Sequence, residues 1–468
     1  MQTALDLARW QFGIITVYHF LFVPITIGIT WFVAWFQTRW MRTGDPDYLR
    51  LTRFFGKLML INFAIGVVTG IVQEFQFGMN WSDYSRYVGD VFGAPLAMEA
   101  LAAFFLESTF LGLWVFGWGR LAPRLHLAMI YLVAVGSTLS AYFILAANSW
   151  MQHPVGYVLN AKTGRAEMTS IVAVLTNPTV LLAFPHTILA AFATAGIIVA
   201  GVAAWHIRRA NDRAMFMHAL KLGVPVVFIA TMATMLVGHA QAQLMVKEQP
   251  MKMAAAEALY ETTSSAPFSL LAVAPFEKRP ERTTLNLTLP NGLSILATNT
   301  TNGTVKGIND INAEYVAKYG PGDYTPILGV TYWSFRVMIG AGMLLALITG
   351  IGSFLLWRGS IERHRWLIRI MPLAIVLPFL GNSAGWIFTE MGRQPWVVQG
   401  LLKTASGVSP SVAMWEVGVT LVGFTLLYGA LAVVDCWLMF RFARSVPPPS
   451  PVKSPDEEVP VRELAMAY

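Results

Sequence analysis

Charge is scarce in this chain. Only 13% of its 468 residues are Asp, Glu, Lys or Arg, about half the share usual in soluble domains. That scarcity excludes a water-soluble protein of this length, which would divide into several domains with polar surfaces. Cysteine is nearly missing as well. The single Cys436 permits no disulfide within the chain and no CxxCH haem-attachment motif. It lies in an apolar stretch, where small apolar packing is its expected role. No internal repeat is present. The net charge of +7 does not point to nucleic acid, because the basic residues gather in short segments between apolar blocks.

What the chain has is hydrophobicity, 55% of all residues, arranged in blocks of about 20, the length that spans a bilayer as helix. Nine blocks are expected, at 14–36, 55–77, 95–117, 126–148, 180–204, 219–243, 329–357, 370–390 and 411–440. The fold class is therefore all-α, a polytopic membrane bundle of about nine transmembrane helices. The first block is too long for a signal-peptide core, lacks a small-x-small cleavage site and is followed by a basic loop, so it is expected to be retained.

Lys and Arg number 15 in the first, third, fifth and seventh loops with their helix edges. They number 5 in the second, fourth and eighth. The richer set marks the cytoplasmic side, which puts the N-terminus outside and the C-terminus in the cytoplasm. Four segments follow: helices one to six in 1–243, an external loop 244–328, helices seven to nine in 329–445, and a Pro-rich charged tail 446–468 expected to be disordered. The external loop opens QPMKMAAAEALYET, which reads as an amphipathic helix, and continues with β-like runs such as TTLNLTLPNG. Composition leaves open whether this loop is a functional element or a spacer.

Ionisable groups inside a bilayer are costly, so each one in a span is a functional candidate. His19, Glu99, His186, His239, Arg336 and Glu390 fall in the outer third of six different spans, with Met338 beside Arg336 and Glu107 two turns below Glu99. Lys57 starts the second helix at the inner side. His206, His218 and His364 fall in cytoplasmic loops, where solvated side chains are expected. His, Met and carboxylate groups gathered in a dry bundle suit haem iron. Arg336 needs an anionic partner, such as a haem propionate. Glu390 in GWIFTEMGRQPW is either an anionic iron ligand or the helix-end partner of Arg393. On an ideal α-helix Glu99 and Glu107 differ by about 80° in azimuth, so they can address one cavity at two depths. Ser108 and Ser140, with Lys57 and Glu107, could carry protons from the inner face.

Several motifs coincide with one family. GRQPW at 392–396, ARWQFGIITVYHFLFVP with His19, EALAAFFLEST with Glu99 and Glu107, FPHT with His186, FRVM with Arg336 and Met338, and QPMKMAAAE with Lys252 and Glu257 occur in order over residues 1 to about 440. Together they resemble subunit I of cytochrome bd quinol oxidases. The resemblance implies a terminal oxidase and translocase of the bacterial cell membrane that oxidises quinol outside and reduces dioxygen to water. It implies His186 and Met338 as axial ligands of haem b558, His19 as ligand of haem d with Glu99 at or near its iron, and Glu390 as ligand of haem b595. Arg9, Arg336, Arg393, Trp386 and Asn148 are then expected around the haems and their propionates. Lys252 and Glu257 match the quinol-binding Q-loop, here in its short form. A second large membrane subunit and a small single-helix subunit are the implied partners. Two other readings remain: a cytochrome b electron carrier without oxygen chemistry, using His186 with His239, and a secondary transporter.

Overall fold

The computed structural model describes residues 2–273 and 285–448. Among these, nine helices are long and apolar enough to cross a membrane. They are α1 (Gln2–Thr43), α2 (Pro46–Met79), α3 (Ser82–Phe116), α4 (Pro123–Gln152), α5 (Pro178–Arg208), α6 (Arg213–Glu248), α7 (Leu328–Trp357), α8 (Arg365–Met391) and α9 (Met414–Ala443). Each expected apolar block corresponds to one of them; the third overruns its helix by one residue at 117 and the ninth starts three residues early, at 411.

The ends differ from the hydropathy reading where a helix carries polar residues. The third span begins at Ser82, well before the apolar block at 95. Its first turns, SDYSRYVGD, are too polar to register as membrane sequence. They bury Tyr84, Val88, Val91 and Phe92 on one face, and that face holds the helix. Two helices start with an Asx–Pro pair, which supplies a cap and a preset first φ. The Asp45 side chain accepts from the Asp47 N–H, and Asn177 accepts from Thr179. Asn177 also donates to the Ser149 and His153 carbonyls, pinning the start of α5 to the end of α4.

α5 is the most buried span and is ringed by α1, α4, α6 and α8. Small residues allow this. A Cβ on Gly28 of α1 would lie 2.4 Å from the Ala191 carbonyl oxygen, and one on Gly223 of α6 would lie 2.9 Å from that of Gly196. Without a hydrophobic driving force between helices in lipid, such close backbone approach is what holds the bundle.

Between α6 and α7 the loop is built from a short helix, Pro250–Glu257, further short helices and small two-stranded sheets. The short helix was expected to be amphipathic, but it is buried on all sides. The strand Leu285–Leu289, within the β-like run, pairs antiparallel with Phe268–Val273. Of the expected disordered tail, residues from 449 onward lie outside the described residues. Arg50 donates to the carbonyls of Pro447 and Pro448. Two expectations are corrected. His206 is not solvated: it is buried at the end of α5, stacked 3.9 Å from Phe216 and bonded to the Ala443 carbonyl at 2.9 Å. Cys436 is exposed on α9, not packed, because α9 is the least buried span.

One buried network fixes α1, α3 and α4 together. Trp114 Nε1–H donates to Gln37 Oε1 (2.9 Å), so the Gln37 amide nitrogen faces His126 Nδ1 (2.8 Å). That leaves His126 Nε2–H to donate to the Trp114 carbonyl (2.8 Å). The end groups dictate a neutral Nε2–H tautomer. Gln37→Leu strands two buried partners at about 1–3 kcal/mol each. A clearly lower thermal midpoint of the purified protein is expected, and an unchanged midpoint would show that the network is not structural.

Candidate functional site

Helices α5, α6, α7 and α8 enclose a cavity of about 540 Å³. His186 from α5 and Met338 from α7 both line it, together with Phe20, Asn148, Lys252 and Trp386. Glycines on the other two helices make room for both side chains. A Cβ on Gly238 would lie 3.2 Å from the His186 ring, and one on Gly385 would lie 3.0 Å from Met338 Sδ. Four buried polar atoms around this region have no hydrogen-bond partner: His186 Nδ1, Trp386 Nε1, and Arg336 Nε and Nη1. Leaving such atoms unsatisfied costs about 1–3 kcal/mol each. The donor set fits a haem: nitrogen and sulfur for the iron, apolar walls for the macrocycle, and spare guanidinium N–H groups for propionates. His239, weighed above as a second histidine ligand, lines the same cavity but bonds to Asn299 and Gln243.

The anionic partner that Arg336 required is Glu257, whose Oε2 accepts from Nη2 at 2.8 Å. The guanidinium also lies 4.5 Å from the Tyr332 ring centroid and 4.7 Å from that of Phe268. Glu257 therefore faces a buried ion pair rather than open loop. Its other oxygen, Oε1, is buried without a partner.

Lys252 and Glu257 share the short helix at a spacing of five, about 140° apart on its surface, and so reach different neighbours. Lys252 Nζ donates to Gln152 Oε1 at 3.2 Å, and its stem packs where a Cβ on Gly392 would come within 2.7 Å. Burial pushes the Lys252 ammonium down to about 7, helped by Arg393 and opposed by Glu390. Burial pushes the Glu257 carboxyl up to about 7, opposed by Arg336 and by the Ser269 N–H. Two groups of opposite kind are thus both poised near neutrality.

Glu390 ends α8. Its Oε1 accepts from Asn148 Nδ2 at 2.9 Å, and its Oε2 pairs with Arg393. The helix-end ion pair is therefore present. Arg393 is buried, and its Nε and Nη1 have no partner, which leaves donors for a second anion. Trp386 stacks on Phe20 with centroids 5.2 Å apart. Arg9 lies farther out, at the partly exposed rim, and donates to Gln394 Oε1 at 3.3 Å.

His19 on α1 meets α2 at Thr69, which the sequence reading did not single out. Nδ1 lies 3.0 Å from Thr69 Oγ1. The Thr69 hydroxyl donates to carbonyls of its own helix at Ile65 and Gly66, so its oxygen accepts from His19 Nδ1–H. Nε2 is left as the basic nitrogen, the arrangement of a metal-binding histidine held by an outer partner. Next to it, a Cβ on Gly70 would lie 3.1 Å from the His19 ring.

Glu99 opens a π-turn, Glu99–Phe104, inside α3. The extra residue in the turn makes eight residues rotate about as far as seven do in an α-helix, which reduces the expected 80° offset to roughly 20°. Both carboxylates consequently reach α4: Ser140 Oγ donates to Glu99 Oε1 (2.6 Å) and Ser137 Oγ to Glu107 Oε1 (2.5 Å). Ser108 is not part of this group. It is exposed, and its hydroxyl donates to the Phe105 carbonyl of its own helix. Being adjacent to Glu107 in sequence puts it on another side of α3, and Ser137, three residues before Ser140, occupies the place expected for it. Lys57 lies where α2 meets α9, its ammonium 3.9 Å from the Phe442 ring centroid.

Comparison with known proteins identifies the family. Residues 7–447 match the family described as cytochrome bd terminal oxidase subunit I. The chain is 46% identical to cytochrome bd ubiquinol oxidase subunit 1 of Bacillus subtilis over 94% of this chain and 93% of that protein. It is 36% identical to cytochrome bd-II ubiquinol oxidase subunit 1 of Escherichia coli over 98% of this chain and 100% of that protein. The solved bd oxidase of Geobacillus thermodenitrificans superposes with a TM-score of 0.84 at 31% identity, covering 94% of this chain and 98% of that one. The nine-span bundle, the ordered motifs and these matches together place the chain in the cytochrome bd terminal oxidase subunit I family.

Proposed function

We propose how this chain, a haem-containing catalytic subunit of a bacterial terminal quinol oxidase, performs its reaction. His186 and Met338 hold the low-spin haem b558, His19 holds haem d with Glu99 beside it, and Glu390 holds haem b595. The observation that carries this reading is the cavity lined by both His186 and Met338, with the buried, unpartnered Nε1–H of Trp386 in its wall. When bound, the haems supply electron transfer and the binding and reduction of dioxygen to water.

The protein's own groups handle the protons. Glu257 accepts one proton of the quinol as general base, its free Oε1 being the acceptor atom. Lys252 donates a hydrogen bond to a quinol oxygen. Arg336 holds Glu257 in place and keeps two N–H groups for a propionate. Curated relatives are named for ubiquinol and, in a Bacillus subtilis protein 31% identical to this chain, for menaquinol. Quinol is therefore the substrate class.

The N-terminus is outside and quinol is oxidised at the outer face. Glu107 with Ser137, and Glu99 with Ser140, hold and pass protons taken from the cytoplasm, with Lys57 at the inner entry and Ser108 outside the chain of donors. Each charge moved across the membrane stores about 2.3 kcal/mol per 100 mV, so uptake inside and release outside build a gradient without a pump. A second large membrane subunit completes the enzyme, and a small single-helix subunit joins it.

Three outcomes test this reading. Met338→Leu is expected to convert haem b558 to high spin, and a low-spin spectrum in that variant refutes the ligand pair. Glu107→Leu is expected to slow oxygen consumption with the haem b558 band intact; full turnover takes Glu107 off the route. The pH profile of kcat/KM for quinol is expected to be bell-shaped around 7. Its acid limb arises because Glu257 is protonated as pH falls through about 7, and its alkaline limb because Lys252 loses its charge as pH rises through about 7. Glu257→Gln should remove the acid limb along with most activity, while Lys252→Met should flatten the alkaline limb. Unchanged limbs would assign the titrations elsewhere.

A further inference from the structure

We propose that Gln152 is a positioning residue that couples Lys252 to Glu390 through a one-way chain of hydrogen bonds, so that quinol occupancy is felt at the iron ligand. The inference rests on the assignments of Lys252 to quinol and of Glu390 to haem made above. Lys252 Nζ donates to Gln152 Oε1 (3.2 Å), Gln152 Nε2 donates to Asn148 Oδ1 (2.8 Å), and Asn148 Nδ2 donates to Glu390 Oε1 (2.9 Å).

The two ends set the direction of every link. An ammonium can only donate and a carboxylate can only accept, so each amide between them must turn its oxygen toward Lys252 and its nitrogen toward Glu390. Lys252 and Asn148 are buried, and Asn148 and Gln152 lie one turn apart on the same face of α4. In such surroundings each donor polarises the next. A positive charge on Lys252 therefore strengthens the hydrogen bond that Asn148 gives to Glu390.

A quinol oxygen that accepts from Lys252 Nζ competes with Gln152 for the same ammonium. The pull on Asn148 then slackens, and Glu390 Oε1 keeps more of its negative charge. A more negative carboxylate is a stronger donor to ferric iron. The haem held at Glu390 thus becomes harder to reduce when the chain is loosened at the Lys252 end or cut at Gln152.

The test is a redox titration of the purified oxidase, with the low-spin haem band as the check on folding. Gln152→Leu and Gln152→Met are both expected to lower the midpoint potential of the haem at Glu390, with the low-spin band unchanged. Lys252→Met is expected to shift it the same way. Because Lys252→Met both breaks the chain and removes a charge that acts on Glu390 through space, the double variant should shift no further than Lys252→Met alone. A quinol analogue should move the band of the Glu390 haem in the wild type and not in Gln152→Leu. Shifts that add in the double variant, or a wild-type potential and analogue response in both Gln152 variants, overturn the proposal. The underlying assignments fail differently. Glu390→Gln with every haem band unchanged removes Glu390 as ligand, and Lys252→Met with unchanged KM for quinol removes Lys252 from the quinol region.

Discussion

Arg336 sits among three aromatic rings with a single carboxylate, Glu257, against it. Breaking a buried pair by removing one partner costs about 3–5 kcal/mol, so this contact ties the loop between α6 and α7 firmly to α7. The tie also sets the geometry of the site. It places Glu257 beside the span that carries Met338, two residues on, and leaves two guanidinium N–H groups facing away from protein acceptors. The position of the loop and the orientation of both side chains depend on it.

The same rule, that a polar group inside an apolar bundle must find a partner, organises the other centres. His19 is oriented by Thr69, whose hydroxyl proton is already committed to its own helix. Glu390 is held from two sides by Asn148 and Arg393. Glu99 and Glu107 reach two serines one turn apart on α4 because a π-turn rewinds α3 between them. Trp386, whose buried Nε1 finds no protein partner, lines the pocket that suits a porphyrin, and Arg336 and Arg393 keep unpaired guanidinium nitrogens elsewhere in the bundle.

The loop between α6 and α7 reaches two parts of the bundle at once. Its short helix is buried along its whole length and presents Lys252 and Glu257 to different partners about 140° apart. One residue contacts Gln152, close to Glu390, and the other contacts Arg336, close to Met338. A single element thus touches the surroundings of both Glu390 and Met338.

Much of this was legible in the residues themselves. Twenty-residue apolar blocks mark spans because an unsatisfied backbone in lipid must be helical, and all nine were found although their polar ends were not. His19, His186, Arg336 and Glu390 stand out because such side chains are costly in that setting, while Met338 and Lys252 stand out only because the ordered motifs match one family. The sequence could not choose between Ser108 and Ser137 as the partner of Glu107, since a π-turn changes which residues share a face and leaves no mark in hydropathy. Nor could it pair Arg336 with Glu257 across 79 residues, join Lys252 to Glu390 through two amides of α4, or see Gly238, Gly385 and Gly70 as space for the His186, Met338 and His19 side chains. Composition and period fix what lies in the membrane, because they report local cost. Which buried groups meet was decided by helix packing, because hydrogen bonds act over about 3 Å between segments far apart in the chain.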